Sequence, residues 1–509
     1  MPSLAWAAIA SVALLGTVQA QNSSSLPIVD LGYELHQASS FNQTGGYYNF
    51  SNIRYAAPPV GELRFAAPQP PAVNRSAVQT GNVGRICPQA SPAWLRIASA
   101  YIPQYLAGQT QFNQSSFATS SNGSSSATPA QDPRTDEDCL FLDVVVPQQI
   151  FDSRDSGYGA PVLVWIYGGG YTAGSKGGSG NPAGLLARSE SASSSGVIYV
   201  SMNYRLGAFG WLSGPTFQEN GTANAGLHDQ RFALEWIQQN IHLFGGDPNR
   251  VTVFGESAGG GSIMHQITRA NILQVGASQY GGFSYGPTVD GDFVPDLPGR
   301  LLAHGLFDKS VRVMVGHNAD EGLLFTSPFI QNNTDYAQFV TSDFPSLAAY
   351  PSILSYITDV LYPPVFDGSQ AQNYTNQIAR AAATVSEVIF TCNTFYLDRA
   401  YNNRTYSYLF AIPPALHGQD IASTYYNGPV NASASISGGY PFVPQIAVAL
   451  QEYITHFAET GNPNEQGVPF FNMYGQNATV QVLNITGIRQ AADPAANQRC
   501  DWWQLGLYS

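Results

Sequence analysis

Charge is scarce in this chain. Of its 509 residues only 11% are Asp, Glu, Lys or Arg, and 21 basic residues face 34 acidic ones, a net charge of −13. A polyanionic partner such as nucleic acid is not expected, because binding one depends on a basic face that releases counterions. Cysteine is rare as well: the chain has 4, no two of them closely spaced, and no His-Glu-x-x-His pattern accompanies them. The spacings of a zinc site are therefore missing, and neither a metal nor an organic cofactor is expected. Beyond the N-terminus no apolar run approaches the length of a membrane span, so a transmembrane anchor is not expected. Internal repeats and a linker are also lacking, which leaves residues 21–509 as one domain with insertions.

What is present begins with "MPSLAWAAIASVALLGTVQA". This stretch lacks a basic n-region, but it is too short to span a bilayer comfortably and ends in the small-x-small "VQA". Residues 1–20 are expected to be a signal peptide, and the protein to be secreted. Asn-x-Ser/Thr sequons scattered from Asn22 to Asn484 fit a secreted glycoprotein. In an oxidising compartment four cysteines make two disulfides, and sequence alone leaves three connectivities open. Their positions suggest Cys87 with Cys139, closing a Ser/Asn/Thr-rich stretch, and Cys392 with Cys500, tying down the C-terminus.

Apolar, β-branched runs alternate with helical patterns, as in a mostly parallel sheet with helices on both faces. Strands are expected at 140–146, 161–168, 197–205, 251–255, 311–316 and 406–412. A helix carries Leu227, Leu234, Ile237, Ile241 and Phe244 on one stripe and delivers the chain to Val251.

The pattern G-x-S-x-G occurs twice. Around Ser257 it follows an apolar strand and precedes a helix, whereas around Ser284 it runs into Pro287. A nucleophile elbow needs the first context, since glycines two before and two after the serine relieve a very sharp turn. Ser257 is the expected nucleophile. It needs a base, and chain order in this architecture puts the histidine last. His456 lies in an amphipathic helix, while His417 lies in the loop "PPALHGQD" just beyond a strand, where catalytic groups gather. His417 is the expected base. Between the two, "VRVMVGHNADEG" offers Asp320 and Glu321; Gly322 slightly favours Glu321, but the residues themselves leave the choice near even. For the oxyanion hole, "YGGGY" at 167–171 follows a strand, and its bare backbone at Gly169 and Gly170, with Ala258 after the serine, supplies N–H donors. A phosphate loop would need a Gly-Lys-Ser/Thr ending that this stretch lacks.

With "RYAAPPVGELRF" (54–65), "EDCLFLDV" (137–144), "WIYGGGY" (165–171), "NYRLGAFGWL" (203–212), "GLHDQRFALEWIQQNIHLFGGDPNRVTVFGESAGG" (226–260), "NADEG" (318–322) and "LHGQD" (416–420), the chain resembles the type-B carboxylesterase/lipase family, which includes the cholinesterases and fungal secreted lipases. The resemblance implies the α/β-hydrolase fold, with a large, mostly parallel central sheet flanked by helices. It also implies a secreted serine esterase that hydrolyses small-molecule or lipid esters through an acyl-enzyme. It assigns the acid to Glu321, supports both disulfides, and implies ion pairs Arg64–Glu137 and Arg205–Asp229.

One departure stands against it. Ser257 and Glu321 lie only 64 positions apart, fewer than the family usually has, and the junction falls at Thr268–Arg269. No β-branched run between Ala270 and Ser310 is long enough to replace a central strand, unless "FSYGPTV" acts as one. The expectation is a sheet missing one strand after the nucleophile helix, split between nucleophile and acid. An alternative follows: a catalytically impaired or non-catalytic cholinesterase-like protein.

Overall fold

The computed structural model describes residues 26–112, 132–157, 159–190, 194–268, 280–369, 373–429 and 440–508. The expected signal peptide, and most of the Ser/Asn/Thr-rich stretch between Cys87 and Cys139, lie outside these residues. In chain order the strands are β1 (Ile28–Asp30), β2 (Glu34–Gln37), β3 (Ser40–Asn42), β4 (Tyr47–Arg54), β5 (Asn74–Gln79), β6 (Phe141–Pro147) and β7 (Ala160–Ile166). They continue with β8 (Ile198–Met202), β9 (Gly246–Gly255), β10 (Met314–Asn318), β11 (Tyr406–Phe410), β12 (Thr479–Asn484) and β13 (Gly487–Ala492). All six strands expected from the sequence are present, with shifted ends. "FSYGPTV" forms none.

These strands form a 6-stranded sheet in the order β3-β4-β6-β8-β7-β9, a 4-stranded sheet β10-β11-β12-β13, and a small sheet β1-β2-β5. Pairing is parallel where it matters for the site, β8 to β7 to β9 in one sheet and β10 to β11 to β12 in the other, and antiparallel at the outer strands. Every residue of β7 and of β8 is buried, as parallel strands covered on both faces require. Their uninterrupted apolar sequences, "APVLVWI" and "IYVSM", are the consequence.

The central sheet is thus two blocks, as the short span after Ser257 leads one to expect, and the break falls between β9 and β10. β9 runs into the turn that carries Ser257 and β10 into the segment that carries Asp320 and Glu321, so the break falls between the elements that bear the expected nucleophile and the expected acid. Val251–Phe254 of β9 and Met314–Gly316 of β10 are only partly buried, unlike the interior strands beside them.

Helices close the faces. Ala225–Asn240 buries Leu227, Ala233, Trp236 and Ile237, runs on as a tight turn through Ile241 and Phe244, and stops at Gly245, whose φ of 91° favours glycine. Pro444–Thr460 buries most of its length, packs against β7 and β9, and ends at Gly461 in the left-handed region.

Both expected disulfides form, Cys87–Cys139 and Cys392–Cys500. Both expected ion pairs form too, with different weights. Arg205 reaches Asp229 through Nε at 2.8 Å and Nη2 at 2.7 Å, and both are buried. Arg64 meets Glu137 with its side chain 43% exposed, where such pairs contribute at most about 1 kcal/mol. Losing one partner of the buried pair costs far more, roughly 3–5 kcal/mol, because the other charge is left uncompensated.

Candidate active site

Ser257 sits where β9 gives way to the helix Ala258–Thr268, with φ at 56°. A non-glycine residue held there stores strain that the surroundings must impose. They do so by close approach. A Cβ on Gly255 would come within 2.6 Å of the carbonyl oxygen of Ile166, one on Gly259 would land on that same oxygen, and one on Gly168 would lie 2.7 Å from Cβ of Ser257. The glycines are there because the strand ends touch. Ser284 has no such setting: it is exposed, on an irregular segment with no helix after it.

His417 lies beyond β11, in the loop that follows Ile412. Nδ1 of His417 is 2.6 Å from Oε2 of Glu321, whose other oxygen accepts the backbone N–H of Asn318 at 2.5 Å. Asp320 instead pairs by backbone with Ala415 and makes no side-chain contact with the imidazole. Of the two carboxylates that the residues left near even, Glu321 is the one in contact with the imidazole. The ring of His417 is packed against Phe325 and Phe390, with centroids 5.0 and 4.4 Å away. His456, in its helix, bonds the carbonyl of Asn462 and is remote from this group.

Two carboxylates join that sequence reasoning did not single out. Oε1 of Glu256 is 3.3 Å from Nε2 of His417. Asp420 accepts from Asn318 Nδ2 at 3.2 Å and from the hydroxyl of Tyr408 at 3.0 Å, and Asn318 Nδ2 also faces Glu321. The signal for Glu256 was its place directly before the serine, since a side chain fixed by the elbow must also point near the base. Asp420, three residues after His417, had no comparable signal.

Burial and charge then oppose each other. Burial pushes Glu256 up to about 7 against the pull of His417, and raises Asp420 as well, helped by the charge of Glu321. Glu321 is held below its ordinary value although burial works the other way, because the imidazolium and the N–H of Asn318 favour its anion. For His417 burial favours the neutral ring, but Glu256 and then Glu321 outweigh it and lift the ring to about 9.

Nε2 of His417 is thus turned to Glu256, and the hydroxyl of Ser257 makes no hydrogen bond within the described residues. The pairing that joins two elements of one sheet, Glu321 after β10 and His417 after β11, is made. The pairing that must cross the break is not.

Gly169 and Gly170 have φ of 108° and 61° and line a cavity of ≈ 170 Å³ together with Ser257, Glu256 and His417. Their N–H groups, and that of Ala258 at the helix start, donate to no protein acceptor among the described residues. Free donors beside a nucleophile can receive developing negative charge. The remaining wall is mostly apolar, from Pro92, Leu95, Phe283, Leu324 and Phe325, with Ser91 beside them. No group of three or more His, Cys, Asp and Glu side chains able to hold a metal occurs among the described residues.

Comparison with known proteins places the chain in a family. The profile of the carboxylesterase family matches residues 36–274 and 264–503. The chain belongs to the carboxylesterase family. It is 38% identical to a carboxylesterase, patB, of Penicillium expansum over 99% of both chains, and 39% identical to a carboxylesterase patB of Aspergillus clavatus over 94% of this chain and 96% of that one. A solved structure, EstA of Aspergillus niger, covers 94% of this chain and 98% of its own with a TM-score of 0.73 at 22% identity, a likeness of fold. The chain is accordingly a carboxylic ester hydrolase of the α/β-hydrolase fold. Alignment to the Penicillium protein runs over 573 positions, so about 70 of them face no residue of this chain. The family profile matches in two stretches that meet at 264–274, the junction noted in the sequence.

Proposed function

We propose that Ser257 is the nucleophile of a serine esterase, with His417 as general base and Glu321 as the carboxylate that orients it. The observation that carries this reading is the strained serine, opening on the same cavity as an imidazole already bonded to a buried carboxylate. Catalysis begins when Nε2 of His417 turns from Glu256 to Ser257 and takes its proton as the hydroxyl oxygen attacks the ester carbonyl. The N–H groups of Gly169, Gly170 and Ala258 receive the oxyanion. The imidazolium then protonates the departing alcohol, and water, deprotonated by the same ring, releases the acid from the acyl-serine. Neither a metal nor a cofactor takes part.

The apolar cavity of ≈ 170 Å³ supports short or compact ester groups as substrates. A cavity of about 150 Å³ holds a benzene-sized ligand, so a group of about six carbons fills this one. Two disulfides, and no helix among the described residues long and apolar enough to cross a membrane, are compatible with secretion after loss of residues 1–20. A second reading, an esterase with weakened turnover, is favoured by the missing bond between Ser257 and His417.

The test is hydrolysis of p-nitrophenyl butyrate and labelling by a fluorophosphonate. Ser257→Ala is expected to lower turnover on the order of 10⁴-fold and abolish labelling, while Ser284→Ala leaves both largely intact. Label recovered on Ser284 would overturn the assignment.

A further inference from the structure

β9 and β10 are sheet edges with the character of interior strands. The start of β9 carries Asp247, Pro248 and Arg250, residues of the kind that blunts a natural edge, but its last five residues, "VTVFG", and "MVG" of β10 carry none. Among the described residues, the backbone groups of Val251–Gly255 have no partner besides β7, and those of Met314–His317 none besides β11. Unpaired N–H and C=O groups on a half-buried surface are costly to leave unmade. Here two such rows belong to neighbouring blocks of one fold. The two strands also share a direction: the chain leaving the C-terminal end of each supplies a carboxylate to His417, Glu256 after β9 and Glu321 after β10. Each already pairs in parallel with its one neighbour.

We propose that the gap between β9 and β10 is a binding slot for one extended, apolar peptide strand that runs parallel to both and pairs with both at once. Strand addition of this kind draws affinity from main-chain hydrogen bonds and selectivity from alternate side chains. Val251, Val253 and Phe254 on one side, and Met314 and Val315 on the other, are partly exposed apolar groups that such a strand would cover. The occupant must have both of its edges free. Every described strand of this chain already has a neighbour, so the described residues of a second copy supply no such strand. A separate segment does, and we take as the occupant the residues that the Penicillium carboxylesterase carries where the family match is broken at 264–274; in all, about 70 of its aligned positions face no residue here. The slot does not depend on the catalytic reading, since no part of it requires Ser257 to react.

The experiment measures amide hydrogen exchange of the full chain with and without that segment, made as a separate polypeptide. A control polypeptide carries two prolines in its most β-branched run, because proline cannot donate to a ladder. The expected result is exchange slowed by about tenfold or more at Val251–Phe254 and at Met314–His317 together, with the unaltered segment alone and no growth of the protein into dimers. Protection at one edge only, at neither edge, equally with the proline control, or already present in the chain by itself or in a dimer, would overturn the proposal.

Discussion

Replacing Glu256 with Gln removes the negative charge nearest to Nε2 of His417 while keeping the side chain's size. At 3.3 Å, two full charges at an effective dielectric constant of 20 attract by about 5 kcal/mol, which is a ceiling. Glu256 itself titrates at about 7, so near neutrality only part of that charge is present. A carboxylate this close ordinarily moves a partner by one to three units, and with Glu321 still in place we expect the imidazole to fall by about one to two units from its value of about 9. The neutral ring, the only form able to accept the proton of Ser257, then rises at pH 7 from about 1% to roughly 10% or more. Initial rates of p-nitrophenyl butyrate hydrolysis between pH 6 and 10, corrected for spontaneous hydrolysis, read this directly. The rate of the unaltered protein climbs toward pH 9, and the climb in Glu256→Gln is displaced to lower pH by one to two units, with a faster rate at pH 7. Stability moves in the opposite sense. Because the folded-state value of His417 lies above the ordinary 6.5, its contribution is fully present below that pH and is lost as pH rises through about 9. An unmoved midpoint in the variant, or a loss of rate at every pH without a shift, would refute the reasoning.

Glu321→Gln should depress hydrolysis far more than Asp320→Asn, since of these two only Glu321 bonds the imidazole; equal losses would undo the assignment of the acid. His265, on the helix that follows Ser257, is fully buried with neither ring nitrogen bonded, and burial lowers it to about 3. Its folded-state value is depressed, so its contribution is present above pH 6.5 and is lost as pH falls toward 3. His265→Leu is therefore expected to resist acid unfolding better by about 3 kcal/mol at pH 4 and to change little at pH 7, as monitored by circular dichroism against pH.

What the sequence makes legible is what local patterning and close approach dictate. The interior strands β7 and β8 read plainly because burial on both faces demands unbroken apolar runs. The elbow reads plainly because glycine is demanded on each side of Ser257 wherever strand ends touch. β5 and β13, "NRSAVQ" and "GIRQAA", are largely exposed and exist through pairing with β2 and β12, so their own residues carry little signal. The position of Glu256 opposite His417 is similarly opaque, because it depends on where a distant loop settles. The break in the sheet was legible from the family resemblance, against which 64 positions between Ser257 and Glu321 are few, but its consequence for the hydroxyl of Ser257 was not. That depends on how two blocks without a shared strand come to rest.

The central claim is that this break, and not the identity of the site residues, keeps Ser257 from its base. The most direct measurement inserts after Thr268 the residues that the Penicillium carboxylesterase carries at the break in the family match, and compares the rate of fluorophosphonate labelling at Ser257 in the two proteins. The account predicts labelling faster by about tenfold or more with the segment in place, still lost in His417→Ala. Equal labelling rates with and without the segment would contradict it.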